Sequence, residues 1–127
     1  MAHNAVSHAA SNRSRVLSTA VAEAARRLHI GPTKLGQIIG MSQPTASRLL
    51  AGNYQLKDGS KEWELGALLI RLYRGLFSIV GNRDELAKDW LNSANLAFGG
   101  LPPLQAMHSV QGLVLACEYV DAHRAQV

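Results

Sequence analysis

The amino-acid sequence predicts an all-α protein. Apolar residues recur at intervals of three and four almost everywhere from residue 15 onward, which is the spacing that lines one face of a helix. No segment alternates apolar and polar residues as a half-buried strand does, and no internal repeat is visible. Glycines and prolines fall between the periodic segments, where helices end and begin. We therefore expect a series of helices joined by short turns.

The first half of the chain divides into a tail and a three-helix unit. Residues 1–14 lack an apolar period, and we expect them to form a flexible tail. The unit at 15–60 begins with a helix that ends at Gly31. The second helix is expected at about 32–39 and the third at about 43–51, each bounded by glycine or proline. The inward stripe of the first helix consists of Leu17, Ala20, Val21, Ala24 and Leu28.

A long central helix is predicted at 61–81. Ser60 precedes it and is expected to cap its first turn. Its apolar residues cover a wide arc, which predicts a helix that is contacted on several sides. Gly66 and Gly75 lie inside it and weaken a helix, so we expect them at places where another helix crosses closely.

Residues 82–127 are expected to form a further, smaller helical unit. Asn82 and Glu85 have the spacing of a capping box, which predicts that a short helix begins at Asn82. Ser109 is expected to cap a last helix at about 110–124. The apolar stripe of that last helix consists of Val110, Leu113, Val114, Cys117 and Val120.

The stretch Gly40–Arg48 has the pattern of the turn and recognition helix of a helix-turn-helix. A glycine permits the left-handed turn, Met41 can lock that turn onto the core, and Ser42 can cap the next helix. The first turns of such a helix present polar side chains to base edges and phosphates. The candidate DNA-binding residues are Lys34, Ser42, Gln43, Thr45, Ser47 and Arg48.

These residue types suit different parts of a duplex. Gln43 can bond bidentately to adenine, and Arg48 can bond to guanine or to a phosphate. Short hydroxyl side chains suit phosphates, and Lys34 would add affinity that is blind to sequence and sensitive to salt. The alternative interpretation is an ordinary helical hairpin, since such turns occur in many bundles. The small Gly36, four residues before the turn glycine, favours the helix-turn-helix.

The charge distribution supports a nucleic-acid partner for the first half of the chain. Residues 1–57 contain seven Lys or Arg and one acid, whereas residues 58–127 contain six Lys or Arg and eight acids, within a formal net charge of +4. A positive half suits a polyanion. The alternative is a pattern that serves solubility alone.

Composition and residue spacing argue against several other classes of protein. The single cysteine, Cys117, allows no disulfide and no four-ligand zinc site within one chain, which fits a cytoplasmic protein. No signal peptide is visible, and Arg71 and Arg74 interrupt the most apolar run, so no membrane partner is expected.

We expect no enzymatic activity, no metal and no cofactor. The five histidines fall in different segments, and none pairs with another at ligand spacing. Cys117 lies on an apolar stripe, where cysteines are usually buried small hydrophobes. Gly99 and Gly100 lack the spacing and the following Lys-Ser/Thr of a phosphate loop.

The C-terminal half contains an apolar, rigid loop of the kind that anchors a partner protein. Its residues are Leu96, Phe98, Leu101, Pro102 and Pro103. The alternatives are that this half only mediates dimerisation or only enlarges the core.

Several stretches carry a family resemblance that covers nearly all of the chain after the tail. They are Lys61-Glu-Trp-Glu-Leu, Arg71-Leu-Tyr-Arg, Trp90-Leu-Asn-Ser-Ala-Asn-Leu-Ala-Phe-Gly-Gly-Leu-Pro, Gln111-Gly-Leu-Val and Tyr119-Val-Asp-Ala-His-Arg. On these stretches the chain resembles antitoxins of the Xre/MbcA/ParS class, which are the antidotes to RES-domain toxins.

The resemblance implies a bundle with an Xre/Cro-like helix-turn-helix, followed by a small helical toxin-binding domain. It implies a type II antitoxin that represses its own operon, usually as a homodimer bound to operator DNA. It also implies that the chain covers the active site of a RES-type toxin that consumes NAD. The toxin-binding residues carried over onto this chain are Asn95, Phe98, Gly99, Gly100, Leu101, Pro102, His123 and Arg124.

Two other functions remain open from the sequence. A phage-like dimeric transcriptional repressor would use the same DNA-binding helix and have no toxin partner. A small hydrolase is a third hypothesis, against which the scattered histidines and the apolar setting of Cys117 argue.

Overall fold

A computed structural model describes the backbone of residues 2–125 and the side chains of residues 11–124. Within that range the chain folds into helices without strands, which confirms the all-α prediction. The seven α-helices are α1 (Ala2–Arg27), α2 (Pro32–Ile39), α3 (Gln43–Leu50), α4 (Lys61–Val80), α5 (Asp84–Asn92), α6 (Pro103–Ala106) and α7 (Val110–Ala125). A short 3-10 helix, Leu96–Phe98, lies between α5 and α6.

Helix α1 is longer than the sequence indicates. It begins at Ala2, so the segment 1–14, expected as a flexible tail, is helical from its second residue; Met1 lies outside the described residues. Absence of an apolar stripe does not exclude a helix, and this segment contains four alanines, which have the highest intrinsic helix propensity. The helix also ends at Arg27, before the predicted Gly31, because His29 adopts a left-handed φ of 58°.

Three predicted serine caps are confirmed. Ser42 Oγ accepts a hydrogen bond from Thr45 N at 3.3 Å, and Ser60 Oγ accepts one from Trp63 N at 3.2 Å. Ser109 Oγ accepts one from Gly112 N at 3.0 Å. Each cap satisfies a backbone donor that the first helical turn leaves free.

The predicted cap at Asn82 is wrong. Asn82 has a left-handed φ of 63° and follows Gly81, which is also left-handed, and the N–H groups of both residues donate to Phe77 O. Asn82 therefore completes the end of α4, a role that asparagine tolerates better than most residues. Helix α5 begins at Asp84, and Arg83 before it makes no side-chain cap.

Helix α4 is the centre of the molecule, as predicted. It packs on α1, α2 and α7, and one hydrophobic cluster runs continuously from Val21 to Val120. The two interior glycines permit these crossings: a Cβ on Gly66 would lie 3.0 Å from Val21 Cγ2, and one on Gly75 would lie 2.6 Å from Val120 Cγ1. The two halves of the chain thus share a core built on α4.

In the part of the chain that the structure describes, no helix combines the length and the apolar character needed to cross a membrane.

Candidate nucleic-acid and partner-protein surfaces

The turn between α2 and α3 is fixed by backbone contacts. Gly40 has a left-handed φ of 80°, and the N–H groups of Gly40 and Met41 both donate to Gly36 O at 2.9 Å. A Cβ on Gly36 would come within 2.5 Å of Met41 O, so only glycine allows the chain to fold back this closely. Half-buried Met41 packs against the core. This geometry sets α3 at a defined angle to α2.

Helix α3 buries one face and exposes the other. Ala46 and Leu49 are fully buried, whereas Gln43, Ser47 and Arg48 are exposed. The small Ala46 lets α3 lie close to the helices beneath it. The exposed face is therefore polar, with one cation and several neutral donors.

Hydrogen bonds hold the Arg48 side chain along the exposed face. Ser42 Oγ–H donates to Thr45 Oγ1 at 2.9 Å, and Arg48 Nη2 donates to the same hydroxyl oxygen at 3.2 Å. The cap of α3 is thereby joined to its cation through Thr45. A side chain that is ordered before binding loses less conformational entropy when it meets DNA.

The structure brings five of the six candidate DNA-binding residues together on the cap and first two turns of α3. The sixth, Lys34, is exposed in the first turn of α2. Burial, and after it the positive charge of Lys34, lower the pKa of His108 in the C-terminal half.

The loop between α5 and α6 is closed by its own backbone. Asn95 N donates to Leu101 O at 3.2 Å, and Asn95 O accepts from the N–H groups of Phe98 and Gly100 at 3.0 Å. The Asn95 side chain accepts from Ala97 N at 3.0 Å. Gly99 and Gly100 have left-handed φ values of 66° and 86°, which explains why two glycines stand together here. The loop is therefore a rigid platform.

Four aromatic rings, one of them Phe98 of the loop itself, form a cluster that supports the loop. Trp90 and Phe98 meet edge to face at 5.9 Å, Tyr119 lies 5.6 Å from Phe98, and His123 stacks on Tyr119 at 4.1 Å. Phe98 is 5 % exposed. Phe98 therefore supports the loop from inside, and it also lines a groove beside the loop; its contact with a toxin stays a prediction.

Several apolar side chains of the loop and of α7 are exposed to solvent. Leu96 is 94 % exposed, and Leu101, Val110 and Leu115 are each at least 40 % exposed. Leu101 and Leu115 line a shallow groove of about 490 Å³, together with His108 and other residues. Val110 was predicted on the buried stripe of the last helix but is exposed, and Leu115 lies on the opposite side of the helix from that stripe.

The structure separates the last two predicted toxin-binding residues. His123 belongs to the ring cluster, and its Nδ1 lies 2.9 Å from Tyr119 O. Arg124 instead lines a different groove, between α1 and α4, beside Arg71 and Arg74. The predicted set therefore forms one surface around the loop and one isolated cation at the end of α7.

The candidate catalytic groups have ordinary structural surroundings. Cys117 Sγ lies 3.3 Å from Leu68 O, to which the thiol donates, and burial raises the pKa of the thiol. A protonated thiol is a poor nucleophile. Among the residues that the structure describes, no three His, Cys, Asp or Glu side chains group as metal ligands would.

Two protein-family models match the chain. The antitoxin Xre-like helix-turn-helix domain matches residues 7–71, and the antitoxin Xre/MbcA/ParS C-terminal toxin-binding domain matches residues 75–125. The first match contains α2, α3 and the turn between them, and the second contains the rigid loop and α7. No curated protein matches the chain at a significant level.

Proposed function

This chain belongs to the antitoxins with an Xre-like helix-turn-helix domain, and we propose that it neutralises a RES-type toxin that consumes NAD and represses its own operon. It combines a DNA-binding region with a C-terminal toxin-binding domain, as type II antitoxins do. The observation that carries the proposal is that both halves match in this order. The first match contains the exposed polar face of α3, and the second contains the exposed apolar loop.

The DNA-binding step would use α3 in the major groove. Gln43 reads adenine, and Arg48, held by Thr45, bonds to guanine or a phosphate. Ser42, Ser47 and Lys34 position the protein on the backbone. We propose a homodimer, since two recognition helices about 34 Å apart contact successive major grooves on one side of a duplex.

Base-reading and phosphate-binding residues should respond differently to alanine substitution. We expect Gln43→Ala to reduce the preference for the operator over random DNA, because a bidentate base contact is worth about 1–3 kcal/mol of discrimination. Lys34→Ala should weaken binding to all sequences alike and make the affinity less dependent on salt. Fluorescence anisotropy with operator and scrambled duplexes at several salt concentrations measures both. Equal loss of preference in the two variants would contradict the assignment.

The toxin-binding step would use the platform at Asn95–Pro102. Its protruding Leu96 and Leu101 can enter an apolar depression beside the toxin active site, and the rigid backbone limits the entropy lost on binding. Arg124 carries the only charge among the candidate toxin-binding residues. A cation there suits a pocket built for an anionic dinucleotide, although it lies apart from the platform.

Co-expression with the product of the adjacent gene tests the proposal. We expect that partner alone to deplete cellular NAD and to stop growth, and the chain to restore both while co-purifying with the partner. Retained growth arrest with unchanged NAD would indicate a toxin of another class. A chain that purifies alone and binds its operator would support the alternative of a dimeric repressor without a toxin partner.

A further inference from the structure

A second groove, on a different part of the molecule from the platform, has an apolar floor and a cationic rim. It has a volume of about 590 Å³ and lies between α1 and α4, next to the end of α7. The floor consists of Val16, Leu17, Ala20, Trp63, Ala67 and Ile70. Val16 is 64 % exposed, and Ala67 is also exposed, so the floor is open to solvent.

Four arginines line this groove, and two of them already have carboxylate partners. Arg13 pairs with Asp58 at 2.7 Å, and Arg71 pairs with Asp121, its Nε lying 3.1 Å from Asp121 Oδ2. Within residues 11–124, Arg74 and Arg124 have neither a hydrogen-bond partner nor an ion-pair partner for their side chains. The rim therefore has an excess of positive charge beside apolar side chains.

The groove lies away from the DNA-binding helix. Successive residues of a helix are rotated by about 100°, so Arg13, Leu17 and Ala20 lie on the opposite side of α1 from Ser18 and Arg26. Those two face α3 and the start of the segment after it, because Arg26 Nη1 donates to Leu50 O and Ser18 Oγ accepts from Leu56 N. Arg13 reaches only the far end of that segment, where it pairs with Asp58. A duplex bound along α3 therefore leaves this groove free.

We propose that the groove binds an acidic amphipathic helix of a partner protein. An apolar helix face would cover the floor, and carboxylates along its edges would pair with Arg74 and Arg124. A second copy fits poorly, because a two-fold interface places the same patch on both sides and would oppose the two arginine rims. An apolar floor of six side chains also differs from the polar surfaces that bind DNA. The inference does not depend on the toxin's reaction.

A peptide pair tests this inference on the full chain. The probe is a fluorescein-labelled helical peptide of about 20 residues, with leucines along one face and glutamates on its flanks; the control peptide has lysines in place of the glutamates. We expect the acidic peptide to bind at least about tenfold more tightly than the basic one. In Trp90→Phe protein the remaining tryptophan is Trp63, and its emission should shift to shorter wavelength as the peptide covers the groove floor.

Charge reversal locates the binding. Arg74→Glu/Arg124→Glu should weaken binding of the acidic peptide at least about tenfold. Arg83→Glu/Lys88→Glu makes an equal change of net charge on two exposed residues, one just before α5 and one within it, and should change that affinity less than about twofold. Circular dichroism checks that every variant is folded. The proposal would be overturned if both double variants lost the same amount of affinity for the acidic peptide, or if the unsubstituted chain bound the two peptides with equal affinity.

Two further outcomes would assign the groove to another occupant. If sedimentation shows that the free chain is a dimer and that Val16→Glu makes it a monomer, a second copy fills the groove. If Arg74→Glu/Arg124→Glu lowers operator affinity as strongly as peptide affinity, the rim belongs to the DNA-binding surface. Toxin neutralisation is measured separately, so failure of the peptide experiment leaves the proposed function standing.

Discussion

Gly112→Ala is expected to lower the free energy of unfolding by about 3 kcal/mol, near the upper end of what overpacking a core usually costs. A Cβ on Gly112 would overlap the carbonyl oxygen of Ala106 and lie 2.5 Å from its carbonyl carbon. These are backbone atoms, so no side-chain rotation can relieve the overlap, and α6 and α7 must move apart. Because α7 packs on α4 through a shared core, the effect should appear in the unfolding of the whole molecule.

Urea unfolding followed by circular dichroism measures this effect, and Gly31→Ala is the matched control. Gly31 has an extended backbone and a negative φ of −81°, and a Cβ there would meet no atom within 4 Å. It precedes α2, where alanine is a poorer cap than glycine, so a loss of up to about 1 kcal/mol is expected. Equal losses at the two positions would mean that α6 and α7 are not packed as described.

Leu96→Glu/Leu101→Glu is expected to weaken toxin binding about 100-fold or more, because apolar anchors at the centre of an interface each contribute about 2 kcal/mol. Leu96 is 94 % exposed and Leu101 is 43 % exposed, and the loop that holds them is closed by backbone hydrogen bonds. The substitutions should therefore leave folding stability within about 0.5 kcal/mol for each site. Biolayer interferometry with immobilised toxin gives the affinity.

Ser78→Glu/Ile79→Glu is the control for the added charge. Both residues are exposed on the last turn of α4, and the double variant changes the net charge by the same amount. We expect it to bind toxin within about threefold of the unsubstituted chain, since a change outside the interface acts only through the long-range field. If this control loses as much affinity as the loop variant, the loop is not the anchor.

Local rules recovered most of the helix boundaries. Ser42, Ser60 and Ser109 precede their helices as N-caps, and these capping interactions depend on residues only three positions away. The close approach at Gly36 was also anticipated, because a tight helix-turn-helix requires a small residue there. Such features depend on short stretches of sequence, which is why a single sequence contains them.

Features that depend on tertiary packing could not be predicted from the sequence. Nothing in the order of residues indicates that Phe98 turns inward onto Trp90 and Tyr119 while its neighbour Leu96 turns outward. The neighbours His123 and Arg124 point to different surfaces because successive helical residues diverge by about 100°. The family resemblance assigned both residues to one toxin-binding set, and only the folded structure shows that they lie on different surfaces.

The central claim is that this antitoxin reads DNA and binds its toxin with two separate surfaces. Toxin neutralisation by Gln43→Ala/Arg48→Ala protein tests it most directly. Both side chains are exposed on α3, so their removal should leave the fold intact while lowering operator affinity by at least about 30-fold. We predict that this variant restores the growth and NAD level of toxin-expressing cells as fully as the unsubstituted chain. A folded variant that no longer neutralises the toxin would contradict the claim.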